Sequence, residues 1–96
     1  MRRTDNKATT MADKNRFISP KQVAGARAMI GWTQIDLASR AGVGRSTVKE
    51  YEAGNITPHP HNLAKIQKAI EGAGVHPLHE DEWGGEGVRF FKGTPE

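Results

Sequence analysis

Arg45, Ser46, Thr47, Lys49 and Glu50 crowd into one short stretch and bring a guanidinium, two hydroxyls, an ammonium and a carboxylate. These groups suit the edges and backbone of duplex nucleic acid. A guanidinium donates paired hydrogen bonds to guanine O6 and N7, a hydroxyl donates or accepts, and a carboxylate accepts from the amino group of cytosine. An ammonium serves a phosphate oxygen. On a helix, Arg45, Ser46, Lys49 and Glu50 lie on the side away from apolar Val48, so they face outward together. Arg45 gains nothing from the helix itself, because a cation in the first turn meets the positive end of the dipole. Glu50 repels phosphates, which leaves it a cytosine amino group or the task of orienting Arg45. Thr47 lies nearer the backbone and can help to cap the helix.

Other constellations are poorer. His59-x-His61 and His76-x-x-His79 stand near Glu80 and Asp81. Neither pair has the i, i+4 spacing by which two histidines on one helix share a zinc ion, so loop and capping roles are expected, with no metal and no cofactor. The absence of cysteine removes disulfides, thiolate chemistry and every cysteine-based zinc module. No nucleophile–base pair, phosphate-cradling loop or carboxylate pair in an apolar setting can be found, so the chain does not read as an enzyme.

The elements that position the basic cluster must come from a small fold. Ninety-six residues, 35% hydrophobic and 26% charged, allow one modest core and no deep cleft between domains. No run approaches the roughly 20 apolar residues of a membrane span, and Met1-Arg2-Arg3 leads into polar residues, not an apolar signal segment. A soluble, cytoplasmic protein with no membrane partner is expected. The net charge of +3 is unevenly spread: +5 over residues 1–30, +1 over 31–75 and −3 over 76–96. A basic front favours polyanions.

Residues 1–17 lack apolar periodicity and read as a flexible arm whose Arg2, Arg3 and Lys7 trail in solvent. Ser19-Pro20-Lys21-Gln22 then opens a first helix with a capping box and a proline in the first turn; Val23, Ala26 and Ile30 form its inner face and Gly31 ends it. Gly25 inside this helix costs about 1 kcal/mol relative to alanine, which implies either an imperfect position or another chain segment passing close. Thr33-Gln34-Ile35-Asp36 opens a second helix that turns Leu37, Ala38 and Ala41 inward and stops at Gly42. A third runs from Arg45 to Glu52. Both are too short to stand alone in water, so packing must hold them. A fourth, from about Pro60 to Glu71, carries Leu63, Ile66 and Ile70. Val75–Leu78 and Val88–Lys92 are β-prone and flank Trp83-Gly84-Gly85-Glu86-Gly87, which predicts a hairpin with Pro77 on an edge.

Two short helices, a turn at Gly42, small Ala38 at their crossing and apolar pins at Val43 and Val48 meet the physical requirements of a helix-turn-helix. Ser19 to Val75, 57 of the 96 residues, resembles the Cro/cI (Xre) family of phage and bacterial repressors. Arg27, Gly31, Thr33-Gln34, Leu37-Ala38, Ala41-Gly42-Val43, Val48 and Glu52-x-Gly54 carry the resemblance. It implies that Gln34 meets a phosphate and steadies the recognition helix, and that Arg45, Ser46 and Glu50 face bases with Lys49 beside them. It also implies an ion pair between Arg27 and Glu52. Gly44 departs from the pattern, standing where a serine or threonine commonly caps the recognition helix.

The expected architecture is therefore mainly α. A compact four-helix domain over residues 18–75 is followed at 76–96 by a β-hairpin that could serve dimerisation. The expected function is sequence-specific binding of double-stranded DNA as a homodimer on a palindromic operator, with repression as the outcome. Trp32 and Tyr51 read as core or core-edge aromatics, not as a stacking platform for bases. Trp83, Phe90 and Phe91 read either as a candidate interface or as closure of the monomer's own core. Alternation puts Val88 and Phe90 on one face and Arg89 and Phe91 on the other, so that one face can cover the core and leave Phe91 for a partner. The alternative is a protein-interaction module, an antitoxin or anti-activator, whose protein partner docks on this acidic, aromatic end.

Overall fold

A computed structural model describes residues 17–93. Four helices, α1 (Pro20–Ile30), α2 (Gln34–Ala41), α3 (Arg45–Glu52) and α4 (Pro60–Gly72), precede strands β1 (Val75–Leu78) and β2 (Gly87–Phe90). The arm expected over residues 1–17 lies outside the described residues except for Phe17, which packs against the core.

The helix boundaries follow from local chemistry. Ser19 accepts from the Gln22 N–H while the Gln22 side chain accepts from the Ser19 N–H, and Thr33 and Asp36 repeat this reciprocal cap on α2. At Gly31 and Gly42 the chain turns through positive φ, 73° and 75°, where a side chain would be strained. The Gly42 and Val43 N–H groups both bond back to the Ala38 carbonyl, which closes the turn between α2 and α3. His59 caps α4 through Nδ1, which accepts from the His61 N–H.

Ile18, Val23, Ala26, Leu37, Ala38, Val48, Tyr51, Leu63, Ile66, Ile70 and Val75 form the core. Each helix contributes to the core from its predicted inner face, although Ile30 and Ala41 are only partly buried against it, and Val48 is wholly buried beneath α3. The Tyr51 hydroxyl donates to the Ile18 carbonyl at 2.6 Å, so this buried aromatic leaves no orphan polar group. Burial also pushes the Tyr51 phenol above its ordinary pKa, with the Glu86 charge adding to the effect.

The strands pair antiparallel, with Val75 opposite Phe90, His76 opposite Arg89, Pro77 opposite Val88 and Leu78 opposite Gly87. A two-stranded sheet has only edges, which is why Pro77 is tolerated. Two expectations need correction. The second strand spans Gly87–Phe90, not Val88–Lys92, because the ladder closes at the Phe91 N–H to Gly74 carbonyl bond. Phe90 does not cover the core but is 52% exposed, whereas Phe91 is 37% exposed and lies against the His76 ring at 5.0 Å. The core-facing side of the hairpin is filled by Val75, Pro77 and Val88, and Phe90 overhangs its end.

Candidate nucleic-acid interface

Gln34, Ile35, Arg45, Ser46 and Lys49 line one shallow depression of about 340 Å³ where the start of α2 meets the outer side of α3. Arg45, Ser46 and Lys49 are exposed there. Thr47 and Glu50, expected nearby, do not line it. Thr47 is half-buried, and its N–H bonds to the Gly44 carbonyl at 3.1 Å. Glu50 accepts from the Asn55 side chain at 2.7 Å, which ties its carboxylate to the loop after α3. Gly44 caps α3 in an extended conformation with no side-chain bond.

What holds this surface is a three-residue network beneath it. Arg27, from α1, donates to both carboxylate oxygens of Glu52 at 2.7 Å. Its third arm donates to the Trp32 carbonyl at 2.9 Å, so one guanidinium ties α1, the loop before α2 and α3 together. Gln34 then donates to Glu52 at 3.0 Å and links the start of α2 to the end of α3. The Glu52 side chain is only 8% exposed. Burial alone would raise its pKa; the hydrogen bonds from Arg27 and Gln34 and the Arg27 charge override this and hold it below the usual glutamate range. The bond to Glu52 raises the Arg27 pKa against some desolvation, so both partners stay charged. Asp36, bonded by the Thr33 N–H and hydroxyl, is also held low. Arg40 lies over Trp32, 4.8 Å from the ring centroid, which covers the half-buried indole.

The C-terminal residues form a separate surface. Trp83 is 85% exposed on a turn in which Asp81 Oδ1 accepts from the Trp83 and Gly84 N–H groups. His76, Arg89, Phe90, Phe91 and Lys92 line a second depression of about 280 Å³. Among the described residues, no group of three or more histidines, aspartates and glutamates could hold a metal ion. No helix among them is long and apolar enough to cross a membrane.

Two residues carry more than their sequence context suggested. Gln22, read only as a cap, is buried and donates to the Leu78 carbonyl at 2.8 Å and the Gly87 carbonyl at 2.9 Å. Nothing in its neighbours could signal this, since the acceptors lie 56 and 65 residues away. Ile35 lines the basic depression while 54% exposed. Its position outside the Leu37–Ala38–Ala41 face was the only available signal.

Two short helices closed by a tight glycine turn, the second with a buried underside and a polar outer side, define a helix-turn-helix domain. The family model described as helix-turn-helix matches residues 24–72, a little over half of the chain. The chain belongs to that family, in its Xre or Cro/cI type, a family of DNA-binding transcription regulators. No curated protein sequence matches it.

Proposed function

We propose that this protein is a sequence-specific repressor that binds a palindromic operator in double-stranded DNA as a homodimer, with α3 in the major groove. Arg45 and Ser46 read base edges, Lys49 and Gln34 hold phosphates, and Glu50 accepts from a cytosine amino group through Oε2, the carboxylate oxygen that does not take the Asn55 bond. Thr47 supports the first turn. The observation that carries the reading is the depression shared by Gln34, Arg45, Ser46 and Lys49, which gathers donors for bases and phosphates on one exposed side. The network of Arg27, Gln34 and Glu52 beneath it favours a preorganised surface. A bacterial or phage-derived origin and a cytoplasmic, nucleoid-associated setting accord with this role.

The test is selection from a random duplex pool across a salt series. A palindrome with half-sites about one helical turn apart is expected to be enriched. Arg45→Ala should lose about 1–3 kcal/mol of affinity and relax specificity at one position of each half-site. No enriched sequence, or an unchanged optimum with Arg45→Ala, would overturn the assignment.

The dimer contact is proposed at the hairpin, where Trp83, Phe90 and Phe91 leave aromatic surface open to solvent. A second reading places a different protein on these aromatics, in the manner of an antitoxin or anti-activator. Sedimentation distinguishes them: the dimer should dissociate on joint Trp83→Ser and Phe90→Ser substitution, and a chain already monomeric at high concentration favours the second reading.

A further inference from the structure

Ile35 is the one large exposed aliphatic on α2 and α3, and no requirement of the fold explains it. It is not core, for Leu37 and Ala38 fill that side of α2. It does not favour the helix either: a β-branched side chain in the first turn loses rotamer freedom, and the dipole there prefers a carboxylate. Yet it lines the same depression as Gln34, Arg45, Ser46 and Lys49, so the wall of a cationic site carries an apolar group.

We infer that Ile35 is a specificity residue that receives the C5-methyl group of a thymine in the major groove. The assignment rests on the reading of α3 as the base-reading helix and extends that reading to α2. The neighbours of Ile35 argue for this occupant. Arg45 and Lys49 attract a polyanion, and Gln34 and Ser46 are polar, so an apolar protein surface brought here would bury cations without partners. Among the groups that duplex DNA presents in its major groove, the thymine methyl is the apolar one. The operator half-site therefore carries an A·T pair beside the base pair read by Arg45, with its methyl toward α2.

The probe is the duplex that the wild-type chain enriches from a random pool, resynthesised with single dT→dU exchanges. Uracil keeps every hydrogen bond of thymine and lacks only the methyl group. One exchange in each half-site removes two methyl groups from the dimer's operator and should weaken wild-type binding about fifteenfold, about fourfold for each buried methyl-sized group. Ile35→Ala should bind the parent duplex more weakly and respond to no exchange at that step. Ile35→Val, which keeps both γ-carbons, should retain part of the discrimination. Alanine is the better helix former at this exposed site, so the melting temperature should hold or rise slightly.

The inference is overturned if no exchange affects the wild type, if the loss persists unchanged in Ile35→Ala, or if the enriched half-site has no invariant A·T pair. An unenriched pool instead brings down the base-reading role of α3, and this inference with it. The two failures are thus distinct.

Discussion

The helix-turn-helix and the hairpin are secured by opposite means. Between α2 and α3 most of the fixing chemistry is local: the Thr33–Asp36 cap, the positive-φ turn at Gly42, and bonds from Gly42 and Val43 back to Ala38. Its long-range ties are a charged one, joining Arg27 and Gln34 to Glu52, and the buried bond from the Tyr51 hydroxyl to the Ile18 carbonyl. The hairpin has four-residue strands and rests on α1 through neutral or exposed contacts: Gln22 to two carbonyls, Val88 against Gly25, and the Ser19 hydroxyl donating to Glu86 at 2.6 Å. A surface that must present several groups in register is thus braced by an ion pair. One that must only stay attached is clipped by hydrogen bonds. The two regions should accordingly respond to different perturbations.

The largest effect should come from the brace. Glu52→Ala deprives Arg27, whose side chain is 20% exposed in the intact pair, of its carboxylate and frees the Gln34 amide, which should cost about 3 kcal/mol in urea denaturation. The pH dependence has a definite sign. Glu52 has a folded pKa held below its unfolded value, so its contribution is present above the ordinary glutamate value of about 4.3 and is lost as pH falls through the lower folded value. Asp36 adds a slope of the same sign. Stability should therefore decline on acidification below about pH 4.5, and Glu52→Gln should flatten much of that decline. An unchanged slope would mean that the pair is not what braces α3 in solution.

The clip comes next. Gln22→Ala removes both donors to the hairpin and the acceptor that caps the start of α1, and should cost about 2 kcal/mol. The loss should be uneven. The Phe91 amide, bonded to the Gly74 carbonyl, should lose hydrogen-exchange protection well before amides of α3 do. Equal loss in both regions would show that hairpin and helices open as one unit and erase the contrast.

The same contrast governs what was legible in the sequence. Caps and glycine turns lie within a few residues of what they act on, so all four helices stood almost to the residue, as did the core face of α4, while Ile30 of α1 and Ala41 of α2 are only partly buried. The Arg27–Glu52 pair spans 25 residues and entered only through family resemblance. The hairpin was visible as two β-prone runs, but its second boundary slipped, because the contact that closes it lies at Gly74, before the first strand. Alternation assigned Phe90 to the core-facing side without saying where the core ends. At the candidate site, the residue types of α3 could be read directly. That Glu50 turns toward Asn55, and that Ile35 joins the basic depression, depends on how two helices meet, which periodicity within either one does not encode.

A smaller test concerns how tightly the hairpin sits. A Cβ placed on Gly25 would come 3.4 Å from Val88 Cγ2, at the near limit of ordinary van der Waals contact. Alanine gains about 1 kcal/mol of helix propensity over glycine in a helix interior. Because Val88 is only half-buried, a slight shift can absorb the new methyl group, and Gly25→Ala should stabilise the protein by roughly 0.5 kcal/mol after that cost. A lower melting temperature would show instead that the hairpin has one rigid seat, as firmly set as the helices.

The least effect on stability, and the most direct on function, is expected from Gly44→Ser. Gly44 caps α3 at φ −72° and ψ 149°, a conformation open to any residue, so serine introduces no backbone strain. Its Cβ would lie 3.6 Å from Thr47 Oγ1, an ordinary contact. The new hydroxyl can accept from the Thr47 N–H, adding a few tenths of a kcal/mol over a glycine cap. While it accepts that bond, its own proton remains free for a phosphate oxygen, which should tighten operator binding about two- to fivefold. Measuring both quantities separates the two roles of a helix start. A gain in melting temperature without a gain in affinity would mean that the beginning of α3 lies off the DNA backbone, and that Gly44 is a weak cap with no bearing on recognition. A gain in affinity that fades as salt rises would put this end of α3 against a phosphate, beside the bases assigned to Arg45 and Ser46.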